Sequence, residues 1–245
     1  MSKNKMNLEI ADIVKGSETP AGDGVTGAQR CVLITPGGLR RAAILKRGSV
    51  GEIAAECFCA LLLRAWGLNT PDPYLVRLNS EFGFGSADVG YPNLKQSLGL
   101  DGIPEGPARN AAQQVAYQLT ASFKSTAAAI AADEAIGNRD RNLGNILWDG
   151  KNEAWIDHAM CLEAGASMED INKLALIVVQ TDKADAIARS AVAQALTMDQ
   201  SAITESGTTV DSHLGETRCA KFVAQRIINL ANLVIARFPS THSLL

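Results

Sequence analysis

Apolar and polar side chains alternate through Asn7–Val14 (NLEIADIV), the two-residue period of a half-buried strand. Cys31-Val32-Leu33-Ile34 and Arg41–Lys46 (RAAILK) read as two more strands joined by the turn Pro36-Gly37-Gly38. Between the first two strands, Gly16–Gly27 (GSETPAGDGVTG) is too rich in Gly and Pro for a regular element and is expected to be a glycine-rich loop. From about Gly51 to Trp66 the pattern changes: Ile53, Cys57, Ala60, Leu61, Leu63 and Ala65 supply an apolar helical face that stops at Gly67. Pro71-Asp72-Pro73 resets the chain before a strand at Tyr74–Leu78 and another across Phe82–Val89. Tyr91–Pro107 reads as a linker. It divides the chain into a β-rich lobe over residues 1–90 and a helical lobe over 91–245.

Ala108–Ile136 lacks Gly and Pro and predicts one long helix, or two broken near Ser122–Ser125, with Gly137 as the stop. Ile146–Trp148 and Ala154–Ile156 predict a small hairpin around Asp149-Gly150. Ser167, with Asp170 three positions on, predicts the cap of a helix over Met168–Gln180. Thr181 or Asp182 would cap another through about Leu196, and Glu216–Phe238 predicts a final helix with one apolar stripe. The expected fold class is α+β: a small β-rich N-terminal lobe with one helix, and a mainly helical C-terminal lobe.

Composition narrows the function. With 245 residues, 47% apolar and 20% charged, the chain can bury a large core. A net charge of −3 and no Lys/Arg run beyond the N-terminus argue against nucleic-acid binding. No apolar run approaches the ~20 residues that span a bilayer, and the N-terminus has no signal-peptide character, so a cytoplasmic location without membrane attachment is expected. The five cysteines contain no C-x-x-C spacing and there are only three histidines, so buried, reduced thiols are expected in place of disulfides or a metal site.

One stretch carries chemistry. In Asp133–Ala159 (DEAIGNRDRNLGNILWDGKNEAWIDHA), Asp140 and Asn145 lie five positions apart in a polar loop, and Asp157 follows the predicted hairpin. Phosphoryl transfer from ATP uses such a set: one Asp for the attacking hydroxyl, an Asn for a metal ion, and a second Asp for the bridging Mg²⁺. Asp140, Asn142 and Asn145 are also common turn residues, so the spacing alone leaves both readings open. Upstream lie parts that an ATP site needs. The glycine loop can bring backbone N–H groups to phosphates. Lys46 ends an apolar strand, and Glu52 or Glu56 on the next helix could pair with it. Adenine would sit near Phe84–Val89.

In this order the sequence resembles the HipA-like kinases, a bacterial and phage branch of the protein-kinase and phosphatidylinositol-kinase superfamily. The resemblance rests on Gly24–Ile34 (GVTGAQRCVLI), Ala42–Lys46 (AAILK), Ala55–Pro73 (AECFCALLLRAWGLNTPDP) and Asp133–Ala159. It implies a two-lobed kinase-like fold with ATP and Mg²⁺ as cofactors. Lys46 would bind the nucleotide phosphates and Glu56 would orient it. Asp140 would be catalytic, with Asn145 and Asp157 on the metal. Gly24, Gly27, Ala28 and Gln29 would cradle phosphate, and Phe84, Ser86 and Val89 would line the adenine site. Asp133 is implied to be a buried structural acid.

The chain also departs from the family. It starts almost directly at the kinase lobe, without the N-terminal subdomain of the full-length toxins. Gly24 stands where some relatives carry an autophosphorylated Ser. The segment after Asp157-His158-Ala159 is too short for a long activation segment, so no substrate platform of the usual protein-kinase kind is expected. The leading expectation is transfer to Ser or Thr of a protein. The alternatives are a small-molecule or lipid-headgroup kinase, and a non-catalytic nucleotide-binding module that contacts a partner protein.

Overall fold

The computed structural model describes residues 7–21, 27–79 and 81–239. Its elements begin with β1 (Glu9–Ile13), β2 (Thr19–Pro20), β3 (Gln29–Ile34), β4 (Arg40–Lys46), α1 (Val50–Ala65), β5 (Pro73–Leu78) and β6 (Glu81–Ala87). They continue with α2 (Leu94–Ser97), α3 (Pro107–Ser122), α4 (Thr126–Ile136), β7 (Ile146–Trp148) and β8 (Glu153–Trp155). The remainder is helical: α5 (Leu162–Ala166), α6 (Lys173–Val179), α7 (Ala184–Thr197), α8 (Ser201–Leu214), α9 (Cys219–Ile227) and α10 (Leu230–Ile235). The fold is α+β, β-rich at its N-terminal end and helical beyond it.

β1 pairs in parallel with β5 and antiparallel with β3, so the strand order β1-β5-β6-β4-β3 returns to β1 and closes a ring, with β2 added on β3. Closure removes the sheet edges and leaves a narrow interior. Ala11, Cys31, Leu33, Ala43, Leu45, Tyr74 and Val76 fill it. The space is so full that β6 presents glycine there: a Cβ on Gly85 would lie 2.8 Å from Val76 Cγ2, and one on Gly83 would lie 2.9 Å from Leu78 Cδ1. Because side chains alternate across a strand, Ala43 and Leu45 point into the ring and Lys46 points out of it.

A capping box starts α1, in which the Ser49 side chain accepts from the Glu52 N–H and the Glu52 carboxylate accepts from the Ser49 N–H. Ile53 through Leu63 are all buried, because β5 and β6 cover one side of the helix and α8 packs against it as well. Each fully buried Leu or Phe here contributes about 1.5–3 kcal/mol. The chain divides into two compact units. The first comprises residues up to Gly90 with Asp157–Ala159 and Ser201–Lys221, and the second comprises Tyr91–Ile156, Met160–Gln200 and the chain from Phe222.

In the second unit α4 is buried along almost its whole length and packs against α7 and α10. Its alanines allow that close approach. Gly137 caps it in the left-handed conformation (φ +66°) and opens the loop to Asn145.

Three helical expectations are corrected. Ser167 does not open a helix over Met168–Gln180; its hydroxyl donates back to the Ala164 carbonyl at 2.7 Å and closes α5, while Asn172 caps α6. α7 starts at Ala184, and neither Thr181 nor Asp182 serves as its N-cap; Thr181 instead donates to the Val178 carbonyl behind it. Glu216–Phe238 is two helices, α9 and α10, with Asn229 at the break. α8, in a stretch to which the pattern assigned nothing, is rich in Ser and Thr and contains Gly207. It is helical because Ile203, Ser206, Gly207 and Val210 form one buried face, so tertiary packing overrides weak propensity. No helix among the described residues is long and apolar enough to cross a membrane.

Candidate functional site

β4 ends on Lys46 and α1 begins four residues later, which sets the lysine against the helix. Lys46 Nζ lies 2.5 Å from Glu56 Oε1 and 2.7 Å from Asp157 Oδ1. The other carboxylate oxygen of Glu56 accepts the backbone N–H of His158 at 2.9 Å, with His158 Nδ1 at 3.5 Å. Burial alone would raise the Glu56 pKa, but the Lys46 charge and the His158 hydrogen bond outweigh it and hold the carboxyl at about 2. For Lys46, desolvation pulls the pKa down, yet the charges of Glu56 and Asp157 leave it above its ordinary value. Both groups are therefore ionised at neutral pH.

Glu52, the other candidate partner, is turned to Ser49 in the capping box, with Oε2 accepting from both its N–H and its hydroxyl. Asp157 has φ +67°, a left-handed backbone that costs a non-glycine residue about 1–2 kcal/mol. Such strain tends to collect at functional positions.

Asp140 and Asn145 belong to the second unit, on a loop built by amide side chains. Asn138 Nδ2 donates to Asp133 Oδ1, and its Oδ1 accepts from the Asp140 N–H. Asn142 Oδ1 accepts from the Gly144 N–H, an Asx turn. Asn142 and Asn145 both donate through Nδ2 to the Asp140 carbonyl at 3.0 Å. Turn chemistry thus accounts for Asn142. The Asp140 carboxylate takes no part in it and instead meets Lys173 Nζ of α6. Spacing could not reveal Lys173, which lies 33 positions away.

Beneath the loop, two buried ion networks hold it. Asp133 pairs with Arg141, both 1% exposed, and Arg141 also donates to the carbonyls of Asn145 and Ile156. The next residue after Ile156 is Asp157, and the Ile156 N–H donates to the Asn145 carbonyl, so the β7–β8 hairpin returns the chain to Asn145. Glu134, fully buried, receives Arg139, Arg226, Arg237 and the Asn172 amide. Asp170 bridges Arg139 and Arg237, and the Arg237 hydrogen bond holds its carboxyl below the ordinary range. Of these, Asp133 was singled out from sequence as a buried acid and Asp170 as part of a helix cap, whereas Asp170 bridges two arginines; the arginines carry no local motif.

The remaining expected contacts are less concentrated. Gly24 lies outside the described residues. Gly27 is left-handed (φ +62°), the Ala28 carbonyl accepts from the Ala21 N–H, and Gln29 starts β3. Phe84 is 5% exposed on the face of β6 that turns away from the ring interior, while Ser86 and Val89 are half-buried.

No group of three or more acidic, His or Cys side chains able to hold a metal occurs among the described residues. Mg²⁺ brought in with a nucleotide needs only one or two protein oxygens and completes its shell with phosphate and water. A carboxylate at Asp157 and an amide oxygen at Asn145, whose nitrogen is engaged by Asp140, are oxygen donors of that kind. All five cysteines are reduced and buried.

No family model matches the chain, and no curated protein matches its sequence. Among solved structures it is similar to the Helicobacter pylori proinflammatory kinase CtkA, with a TM-score of 0.52 and 11% identity over 94% of this chain and 98% of that one. It also matches the open conformation of CtTel1, with a TM-score of 0.41 and 14% identity over 91% of this chain and 11% of that one. The chain has a kinase-like fold.

Proposed function

We propose that this protein is a HipA-like kinase that transfers the γ-phosphate of ATP to a hydroxyl, with Ser or Thr of a protein as the acceptor. The observation that carries the proposal is Lys46, held ionised between Glu56 and Asp157. A half-buried lysine aimed by one acid and within reach of a second is suited to bind nucleotide phosphates. The kinase-like fold supports the same reading.

In this reaction Asp140 orients the acceptor hydroxyl and takes its proton as the oxygen attacks the γ-phosphorus. The bond from that phosphorus to the β-bridging oxygen breaks, and ADP leaves with the electron pair. Lys46 binds the nucleotide phosphates through charge-assisted hydrogen bonds, and Glu56 fixes its ammonium in place. Asn145 and Asp157 would hold Mg²⁺, which when bound offsets charge on the phosphate oxygens. Lys173 must release Asp140 or share it with the acceptor.

The test is transfer of labelled γ-phosphate by the purified protein, alone and with a cell lysate, comparing wild type with Asp140→Ala and Asp157→Ala. Each substitution is expected to reduce labelling by roughly 100-fold or more. Labelling that survives both overturns the mechanism. Thermal stabilisation by ATP and Mg²⁺ with no labelled product identifies a binding module instead.

A further inference from the structure

A cavity of about 490 Å³ opens in the second unit beside the loop that carries Asp140. Asn142, Leu143 and Gly144 of that loop form part of its wall. So does Lys173, whose ammonium contacts the Asp140 carboxylate and marks the end at which a reacting hydroxyl would lie. Leu100, Leu176 and Ile177 make another part apolar, and Leu176 remains 47% exposed despite its size. The volume falls in the range of ligand sites and exceeds what a Ser or Thr side chain alone would fill.

The charge of the wall is one-sided. Lys95, Arg109 and Lys173 line it, and no acid does among the described residues, in a protein whose net charge is −3. The three cations come from α2, α3 and α6, and each is paired with a different acid: Lys95 with Asp101, Arg109 with Glu105, Lys173 with Asp140. Asp101 and Glu105 are well exposed, and exposed ion pairs are weak, so a ligand carboxylate can replace either one.

We infer that this cavity is the acceptor site, and that it selects Ser or Thr in a protein segment with an apolar neighbour and flanking acidic side chains. The inference rests on the kinase reading given above. The apolar neighbour would fill the wall formed by Leu100, Leu176 and Ile177. The acidic flanks would meet Lys95 and Arg109, while the hydroxyl displaces Lys173 from Asp140. Complementary charge of this kind acts chiefly on recognition, so the preference should appear in KM more than in kcat.

The experiment uses the full chain with Mg²⁺, labelled ATP and three pools of Ser/Thr peptides, matched in apolar content and flanked by acidic, neutral or basic residues. Wild type is expected to favour the acidic pool over the basic pool by roughly tenfold in kcat/KM. The double variant Lys95→Glu/Arg109→Glu is expected to reverse that order, and its gain on basic peptides shows that it is folded. Equal labelling of all pools by both proteins overturns the inference and leaves the kinase reading standing. So does labelling of free hydroxy acids in preference to every peptide. Absence of Mg²⁺- and ATP-dependent labelling in any pool and in lysate overturns the kinase reading, and this inference with it.

Discussion

Lys46 Nζ donates to Glu56 Oε1 at 2.5 Å, across from the last residue of β4 to the second turn of α1. Glu56 is 1% exposed, so this is a buried charge whose cost is met by Lys46 on one oxygen and the His158 N–H on the other. Removing either partner would leave charge in a low-dielectric site.

That pair sets a pH dependence. Glu56 titrates at about 2 in the folded protein against an ordinary 4.5, so the folded state favours its charged form. The stability it confers, on the order of 3 kcal/mol, is complete above 4.5 and is lost as pH falls toward 2. Lys46 has the opposite sign: its raised pKa gives stability that is present below 10.5 and lost as pH rises through the folded value. Urea unfolding at a series of acidic pH values should show a shallower loss for Glu56→Gln than for wild type. Equal slopes would mean that Glu56 is not the linked group.

The two glutamates on α1 should separate cleanly. Glu52→Gln weakens a capping box and is expected to cost about 0.5–1 kcal/mol with phosphotransfer unchanged. Glu56→Gln is expected to reduce transfer by roughly tenfold or more, because Lys46 loses the charge that fixes it. Activity assays and thermal melts on the two variants decide the matter, and an inactive Glu52→Gln that melts like wild type would reverse the assignment.

Asp133→Ala should be among the most destabilising substitutions in the second unit. It strands Arg141, 1% exposed, with its charge buried, and removes the carboxylate that holds Asn138. A loss of about 3–5 kcal/mol is expected in chemical denaturation. A change under ~1 kcal/mol would show that Arg141 is satisfied by the carbonyls of Asn145 and Ile156 alone.

Gly165→Ala tests how tightly α5 is set against the start of the loop that carries Asp140. A Cβ there would fall 1.9 Å from the Gly137 carbonyl oxygen, a backbone atom that cannot move without shifting Asn138. The expected cost is about 1–3 kcal/mol together with reduced transfer. Gly102→Ala, where a Cβ meets nothing within 4 Å, should stay within about 0.5 kcal/mol and serves as the control in the same melts.

The strands of the first unit were legible because side chains alternate across them, and α1 was legible from its run of apolar residues between the Ser49 cap and Gly67. Phe82–Val89 shows the limit: its period-two pattern announces a strand, but only ring closure explains why Gly83 and Gly85 occupy the inward positions. α8 was invisible for the converse reason. Its Ser, Thr and Gly carry no strong helical preference, and its buried face exists only because α1 is there to cover it.

By itself, the sequence determined the polar loop from Asn138 to Asn145, the lysine that ends β4 and the acid after the hairpin, since each follows from local turn chemistry or strand alternation. Residue pattern alone left Glu52 and Glu56 open and the resemblance pointed to Glu56, whose contact with Lys46 the fold makes; the approach of Lys173 to Asp140 and the Glu134 network of Arg139, Arg226 and Arg237 were decided by tertiary structure. Those contacts join residues up to 103 positions apart, and a long charged side chain carries no sign in its neighbours of the partner it will meet. Burial selects the pairing: once an acid such as Glu134 is removed from water, only the cations that the fold delivers to it can keep it ionised.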